Sequence, residues 1–368
     1  MTDDDLIDVL RLHLVPGVGP RTSMALLERF GTATAALHAS GPDLLAVEGV
    51  GPKLSVAITS ARGDEQAVRE LERCRELGIS LLVRGSDEYP KALLETPDPP
   101  AVLYCRGQLE PRDALAVAIV GTRKCSTYGK QTAERLAGSL ARAGVTIVSG
   151  LARGIDSAAH SAALRAGGRT IAVCATGMRN IYPPENVDLA AEISRQGCVL
   201  TEAPLDRGAA PGLFPQRNRI ISGMSLGVIV VEADRNSGSL STARHAWEQN
   251  RDVLAVPGQI DNLRSHGCHD LIRDGAILVR GPDDVLEALG PLANPVRVSE
   301  DEAVHAPREL SLNDCERQVL NAVPIQPTLI DEVLRSVDLE SPRVLSTLMI
   351  LEMKRLIRRH PGGYVSRP

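Results

Sequence analysis

The sequence predicts an α/β protein: an extended, Rossmann-like parallel sheet carried between a small all-α domain and a winged helix. Three observations predict it. Short apolar runs alternate with amphipathic stretches through the middle of the chain, the pattern of parallel strands covered by helices. The amino-terminal segment has helical apolar spacing and an internal repeat. The carboxyl-terminal segment follows three helical stretches with a hairpin pattern.

At 368 residues the chain exceeds one typical domain, since most hold roughly 100–200 residues. The pattern divides it into a helical domain over 1–82, a sheet domain over 83–288, a linker over 289–308 rich in Pro, Glu, Asp and Ala, and a winged-helix domain over 309–368. In the first domain Pro16-Gly17-Val18-Gly19-Pro20-Arg21 is echoed by Glu48-Gly49-Val50-Gly51-Pro52-Lys53. Each copy precedes a helical stretch, which makes this a helix-hairpin-helix (SAM-like) domain. The glycines permit a tight turn, the proline suits a first helical turn, and the helix start offers N–H groups to a phosphate. Hairpins that merely pack a helical domain for protein contacts have the same pattern.

In the sheet domain the expected strands are 117–120, 146–149, 170–174, 198–201, 227–231, 252–256 and 276–279, with helices over 131–143, 155–164 and 242–248 between them. The last domain is expected to carry helices over 314–322, 328–335 and 343–354, with Ser341-Pro342 capping the third. Leu356 to Val365 then forms the wing.

No apolar run approaches the roughly 20 residues of a membrane span, and the start, Thr2-Asp3-Asp4-Asp5, is acidic where a signal peptide is basic. A cytoplasmic protein without membrane contact is expected. The seven cysteines are scattered, with no CxxC pair, and read as reduced core thiols. A formal charge of -5 excludes a uniformly basic nucleic-acid coat, so any phosphate contact needs a local cluster. Aromatic content of only 2% limits a single-strand binder to few stacked bases, with arginines and main-chain N–H groups holding the backbone.

Several segments carry ligand chemistry. Gly121-Thr122-Arg123 ends the first parallel strand, where an α/β sheet binds ligands. It lacks the GxGxxG fingerprint, so no dinucleotide cofactor is expected. Ser149-Gly150-Leu151-Ala152-Arg153-Gly154 ends the second strand, and Arg123 with Arg153 suggests a phosphate cradle. Phe214-Pro215-Gln216-Arg217-Asn218-Arg219 combines a stacking ring, planar cations and an amide, which suits a nucleotide. Arginines paired with Asp206 or Glu232 and a gap-filling Phe214 form the alternative. Arg235-Asn236-Ser237-Gly238-Ser239 offers another anion site, although a capped helix start without a ligand has the same composition. His266-Gly267-Cys268-His269 lacks structural zinc spacing, so no metal is expected, and His160 reads as a core histidine.

Together these segments resemble the DNA processing protein A (DprA/Smf) family across nearly the whole chain. Tyr89-Pro90, Pro99-Pro100-Ala101-Val102-Leu103-Tyr104, Tyr182-Pro183 with Asn186, Glu232-Ala233, Val256-Pro257-Gly258 and Gly275-Ala276 complete the ordered motifs. The resemblance implies a homodimeric, non-enzymatic single-stranded DNA-binding protein that protects incoming DNA and loads the RecA recombinase onto it in natural transformation. It implies that Arg123, Gly150, Phe214, Arg217, Asn218, Ser237 and Gly238 line the DNA pocket, joined on their chemistry by Ser149, Arg153, Arg219 and Arg235. The family often carries lysine before Ser237, where this chain has Asn236, with Arg235 as the neighbouring charge.

Two rival readings stand beside it. A nucleotide hydrolase of the lysine-decarboxylase-like Rossmann group would need a carboxylate where this chain has His245. A double-stranded DNA regulator would read a groove with Arg343, Ser346 and Thr347 of its winged helix.

Overall fold

A helix start is written into the first residues: Thr2 accepts from the Asp5 N–H and Asp5 answers the Thr2 N–H, a capping box that opens α1 (Asp3–Leu14). The computed structural model describes residues 2–290, 296–297 and 303–367. It falls into two compact units, Met1–Leu278 and Val279–Pro368. Residues 291–295 and 298–302 of the expected linker lie outside those described.

The sequence repeat is a structural repeat. Helices α2 (Pro20–Phe30), α3 (Ala33–His38), α4 (Gly41–Leu45), α5 (Pro52–Ser60) and α6 (Gln66–Glu76) follow α1. Both α2 and α5 begin with proline after an extended glycine N-cap. Each turn is made by a glycine in the left-handed region, Gly17 at φ 98° and Gly49 at φ 83°, where a side chain would be strained. Leu12, Leu26, Leu37, Leu44 and Ile58 are buried together between these helices.

The sheet has nine strands: β1 (Ile79–Val83), β2 (Val102–Gly107), β3 (Ala116–Val120), β4 (Thr146–Ser149), β5 (Thr170–Cys174), β6 (Cys198–Thr201), β7 (Gly227–Val230), β8 (Asp252–Ala255) and β9 (Ile277–Leu278). Their spatial order is β1-β2-β6-β5-β4-β3-β7-β8-β9. From β3 to β9 every pairing is parallel, and β2 joins β6 antiparallel with β1 beyond it. A short helix α7 (Lys91–Leu94) precedes β2, and the crossovers carry α8 (Thr127–Arg142), α9 (Ile155–Arg165), α10 (Val187–Gln196), α11 (Leu213–Gly223), α12 (Ser239–Glu248) and α13 (His266–Arg273). The central strands are buried along their length, because helices cover both faces. One apolar cluster packs Leu103, Val148, Val173, Ile220 and Val230, and another packs Leu71, Tyr104, Leu151, Leu164 and Ile193.

The seven strands anticipated from the sequence are present, within one residue at each end. The two antiparallel strands were not anticipated. Ile79–Val83 continues directly from amphipathic α6, and strand 102–107 is a lone apolar run without a βαβ context to mark it.

In the second unit, α14 (Pro282–Ala288) precedes a two-residue pairing of β10 (Val296–Arg297) with β11 (Ala303–Val304). Then follow α15 (Asp314–Asn321), β12 (Thr328–Leu329), α16 (Ile330–Ser336), α17 (Ser341–Met353), β13 (Arg358–His360) and β14 (Tyr364–Ser366). This is a winged helix with sheet order β12-β14-β13. Thr328 and Leu329, expected in a helix, instead pair with β14. Val319, Val344, Leu348, Leu351 and Val365 form its core. Among the described residues no helix is long and apolar enough to cross a membrane.

Candidate functional site

From β3 the chain winds to one side through β4, β5 and β6, then returns to place β7 on the other flank of β3. The loops leaving β3 and β7 therefore part in opposite directions, which opens a crevice at their carboxyl ends. A cavity of about 690 Å³ occupies it, within the size range of ligand sites. Gly121, Thr122 and Arg123 come from the β3 loop, Asp234, Ser237 and Gly238 from the β7 loop, and Phe214, Arg217 and Asn218 from α11.

At the rim, the exposed Arg123 guanidinium lies 5.1 Å from the centroid of the Phe214 ring, within cation–π reach. Tyr182 meets Phe214 edge-on, centroids 5.6 Å apart. The cavity therefore presents a flat aromatic surface with a planar cation over it. Phe214 is only partly buried, so the ring is more than core filling.

Below the rim, Arg217 is 7% exposed. Its Nη1 donates to the Gly150 carbonyl at 2.5 Å and to the Val173 carbonyl. Asp156 supplies the negative charge nearby, its Oδ2 accepting from the N–H groups of Gly150 at 3.1 Å and Ala152 at 3.3 Å. Burial pushes the Asp156 carboxyl up to about 6, with Arg217 and the two N–H donors pulling against it. Burial likewise lowers the proton affinity of the Arg217 guanidinium. Asn218 Nδ2 donates to Ser241 Oγ at 2.9 Å and to the Gly238 carbonyl at 3.2 Å, and so braces the loop that starts α12. At the start of that helix the N–H groups of Ser239, Leu240 and Ser241 are taken by Ser237 Oγ at 3.4 Å, the Ser237 carbonyl at 3.1 Å and the Gly238 carbonyl at 3.2 Å, so the loop offers its Ser237 and Gly238 edge to the cavity and not a row of open N–H donors.

Six of the residues anticipated for the DNA pocket thus line one cavity: Arg123, Phe214, Arg217, Asn218, Ser237 and Gly238. Five are directed elsewhere. Ser149 is fully buried and donates to the Ile119 carbonyl at 2.6 Å. Gly150 lies behind Arg217, where a Cβ would come within 2.6 Å of the guanidinium carbon. Arg153 pairs with Glu185 instead of joining Arg123 in a cradle. Arg219 is held by Glu202 at 2.5 Å and Asp98 at 3.5 Å, neither of them the Asp206 or Glu232 weighed as partners. Arg235 pairs with Asp270 at 2.7 Å. Helix geometry accounts for Arg219: on α11 it stands two positions from Arg217 and so points in a different direction.

Sequence reasoning had not assigned Asp156, Tyr182 or Asp234 to the pocket. Asp156 was the most accessible of the three, since a carboxylate two residues beyond a glycine-rich loop can reach back to its N–H groups. His160 is buried, with Nδ1 2.7 Å from Thr170 Oγ1, and burial lowers its pKa to about 3. His266 and His269 have ring nitrogens 3.1 Å and 3.0 Å from the Ile260 and Gly258 carbonyls. Among the described residues no cluster of His, Cys, Asp and Glu could hold a metal ion, and the seven cysteines are free thiols.

Fold and crevice together define a doubly wound α/β protein whose sheet switch point carries a cavity lined by stacked Arg123 and Phe214. The comparisons with known proteins are specific. Residues 80–290 match the family model of DNA recombination-mediator protein A, residues 303–363 the DprA winged helix domain, and residues 3–72 the DprA-like N-terminal HHH domain. The chain belongs to the DprA/Smf family. Protein Smf of Synechocystis is 34% identical over 378 residues, covering 95% of each chain. The crystal structure of DNA processing protein A from Streptococcus pneumoniae superposes with a TM-score of 0.68 at 36% identity, over 77% of this chain and 96% of that one. DNA processing protein A of Helicobacter pylori, studied for its single-stranded DNA binding mode, aligns with a TM-score of 0.51 at 35% identity, over 56% of this chain and 93% of that one.

Proposed function

We propose that this chain binds single-stranded DNA in the switch-point crevice and acts in DNA processing during transformation and recombination, without catalysing a reaction on the strand. The observation that carries this reading is the Arg123–Phe214 stack at the cavity rim. A base finds a π-face there and a phosphate a planar cation, whereas bases paired inside a duplex present only their edges. The low aromatic content is consistent with one stacking platform per protomer. Kinship with the Helicobacter pylori protein supports the same ligand class.

In this reading the crevice residues Arg123, Phe214, Arg217, Asn218, Ser237 and Gly238 contact the strand. Ser149, Gly150 and Arg219 shape the floor and the adjoining wall, and Arg153 and Arg235 reach phosphate only by exchanging their carboxylate partners. Protection of incoming DNA in the cytoplasm, delivery of the bound strand to RecA and a homodimeric state are the finer parts of the proposal, and they rest on the family relationship. The winged helix fits a duplex reader poorly: α17 exposes Leu345, Met349 and Met353, where groove reading needs polar side chains.

Titration of the full chain with a short oligothymidine and with a duplex of equal length tests the proposal. Micromolar or tighter binding to the single strand is expected, weakening with salt by roughly 0.7 log units per phosphate contact for each tenfold rise in salt. Equal affinity for both ligands, or release of free base from a nucleoside monophosphate, would replace the proposal with one of its rivals.

A further inference from the structure

A second cavity of about 660 Å³ opens on the same carboxyl edge of the sheet. Cys174 and Ala175 at the end of β5 and Thr201 to Pro204 at the end of β6 form its base, and Gly17 to Ser23 of the first hairpin form its opposite wall. Pro215 and Arg217 of α11 line both cavities, so the start of this helix is a partition between them.

The chemistry of the second cavity suits the phosphates of a strand. Arg21 and Arg207 are exposed cations. The uncapped start of α2, with Gly19 before Pro20, leaves the N–H groups of Arg21 and Thr22 outside the helical ladder. Asp98 and Glu202 also line the cavity, with their carboxylates held by Arg219 of the same wall, so that their charge is offset before a strand enters. Arg217, nine-tenths buried and common to both cavities, has an Nε without a hydrogen-bond partner among the described residues, an unfilled donor at the partition. Only the first of the two hairpins lines this cavity; Gly49 to Lys53 do not.

We infer that a strand bound in the crevice continues across the start of α11 into the second cavity, where Arg21, Arg207 and the first hairpin turn hold its phosphates. This rests on the crevice reading and extends it. It assigns the two copies of the repeat different tasks, strand binding for the first and helical packing for the second. A continuing strand fits better than a separate nucleotide, because the cavities share a wall and open on one edge.

The internal repeat supplies its own control. Wild type, Arg21→Glu with Arg207→Glu, and Lys53→Glu are each titrated with oligothymidines of about 6 and about 20 nucleotides. Wild type is expected to bind the longer strand more tightly than its extra registers explain. The double variant should keep short-strand binding and lose that gain, with a salt slope on the longer strand shallower by roughly 1.4, two contacts at about 0.7 each. Lys53→Glu should match wild type. The extension is overturned if the double variant keeps the length gain, if it weakens both oligomers equally, or if Lys53→Glu has the same effect. Wild type that binds neither oligomer removes the crevice reading itself, whereas binding both equally well removes only the extension.

Discussion

The Arg123 guanidinium lies over the Phe214 ring at 5.1 Å, joining the loop after β3 to the start of α11 across an open cavity. A base entering the cavity competes for or extends this stack. Phe214→Ala is therefore expected to weaken oligothymidine binding by roughly 1–3 kcal/mol, or about 5- to 150-fold. Arg123→Glu should abolish measurable binding while changing stability by less than about 0.5 kcal/mol, since the side chain is an exposed loop residue. Fluorescence anisotropy beside a thermal melt checks both, and wild-type affinity in either variant would remove the platform from the binding account.

Arg219 has a different task from its neighbour two residues away. Its guanidinium is 7% exposed and holds Glu202, a carboxyl whose proton affinity burial raises and Arg219 counteracts. Arg219→Ala leaves that carboxylate without its counter-charge and is expected to cost about 3 kcal/mol. Adding Glu202→Gln should recover part of the loss, a coupling of at least about 1 kcal/mol in a double-mutant cycle by urea unfolding. Additive losses would show that the pair contributes no mutual stabilisation.

How much of this was legible beforehand differs between fold and site. The parallel strands announce themselves because they are short apolar runs, several of them ending in glycine-bearing turns such as those at Gly121 and Gly150, and the hairpin repeat because proline and glycine occupy equivalent positions. The antiparallel strands β1 and β2 lack both signals. For the site, residue type and loop position found Arg123, Phe214 and Arg217. They could not separate Arg217 from Arg219, or foresee the partners of Arg153 and Arg235, because Glu185 and Asp270 are more than 30 residues distant in the chain. Ion-pair partners across a sheet are set by tertiary packing, which periodicity does not encode.

Arg217 links binding to folding. It donates to the carbonyls of Gly150 and Val173 and neutralises Asp156, so Arg217→Ala strands two acceptors and a buried carboxylate together. A loss of about 3–5 kcal/mol is expected. Gly150→Ala should act through the same side chain, because its new methyl would collide with the guanidinium; a cost of about 1–3 kcal/mol follows from overpacking. Chemical denaturation measures both, and a Gly150→Ala protein as stable as wild type would mean that the guanidinium has room to retreat.

Asp156 gives the cavity floor a pH signature. Burial raises its carboxyl from 3.8 to about 6, so between those values the folded protein holds a proton that the unfolded chain has released. The corresponding stability is fully present below about pH 4 and is lost as pH rises through 6, at roughly 1.4 kcal/mol per tenfold difference in proton affinity, or about 3 kcal/mol in all. His13 and His160 act in the opposite sense: burial lowers them to about 4 and about 3, and their stability is lost as pH falls below 6.5. The wild-type curve alone therefore mixes the two. Comparing wild type with Asp156→Asn cancels the histidines, which are common to both proteins. The variant should gain about 3 kcal/mol on wild type between pH 4 and pH 7 in urea unfolding; a constant gap across that window would mean that the Asp156 carboxylate is solvated as it is in the unfolded chain.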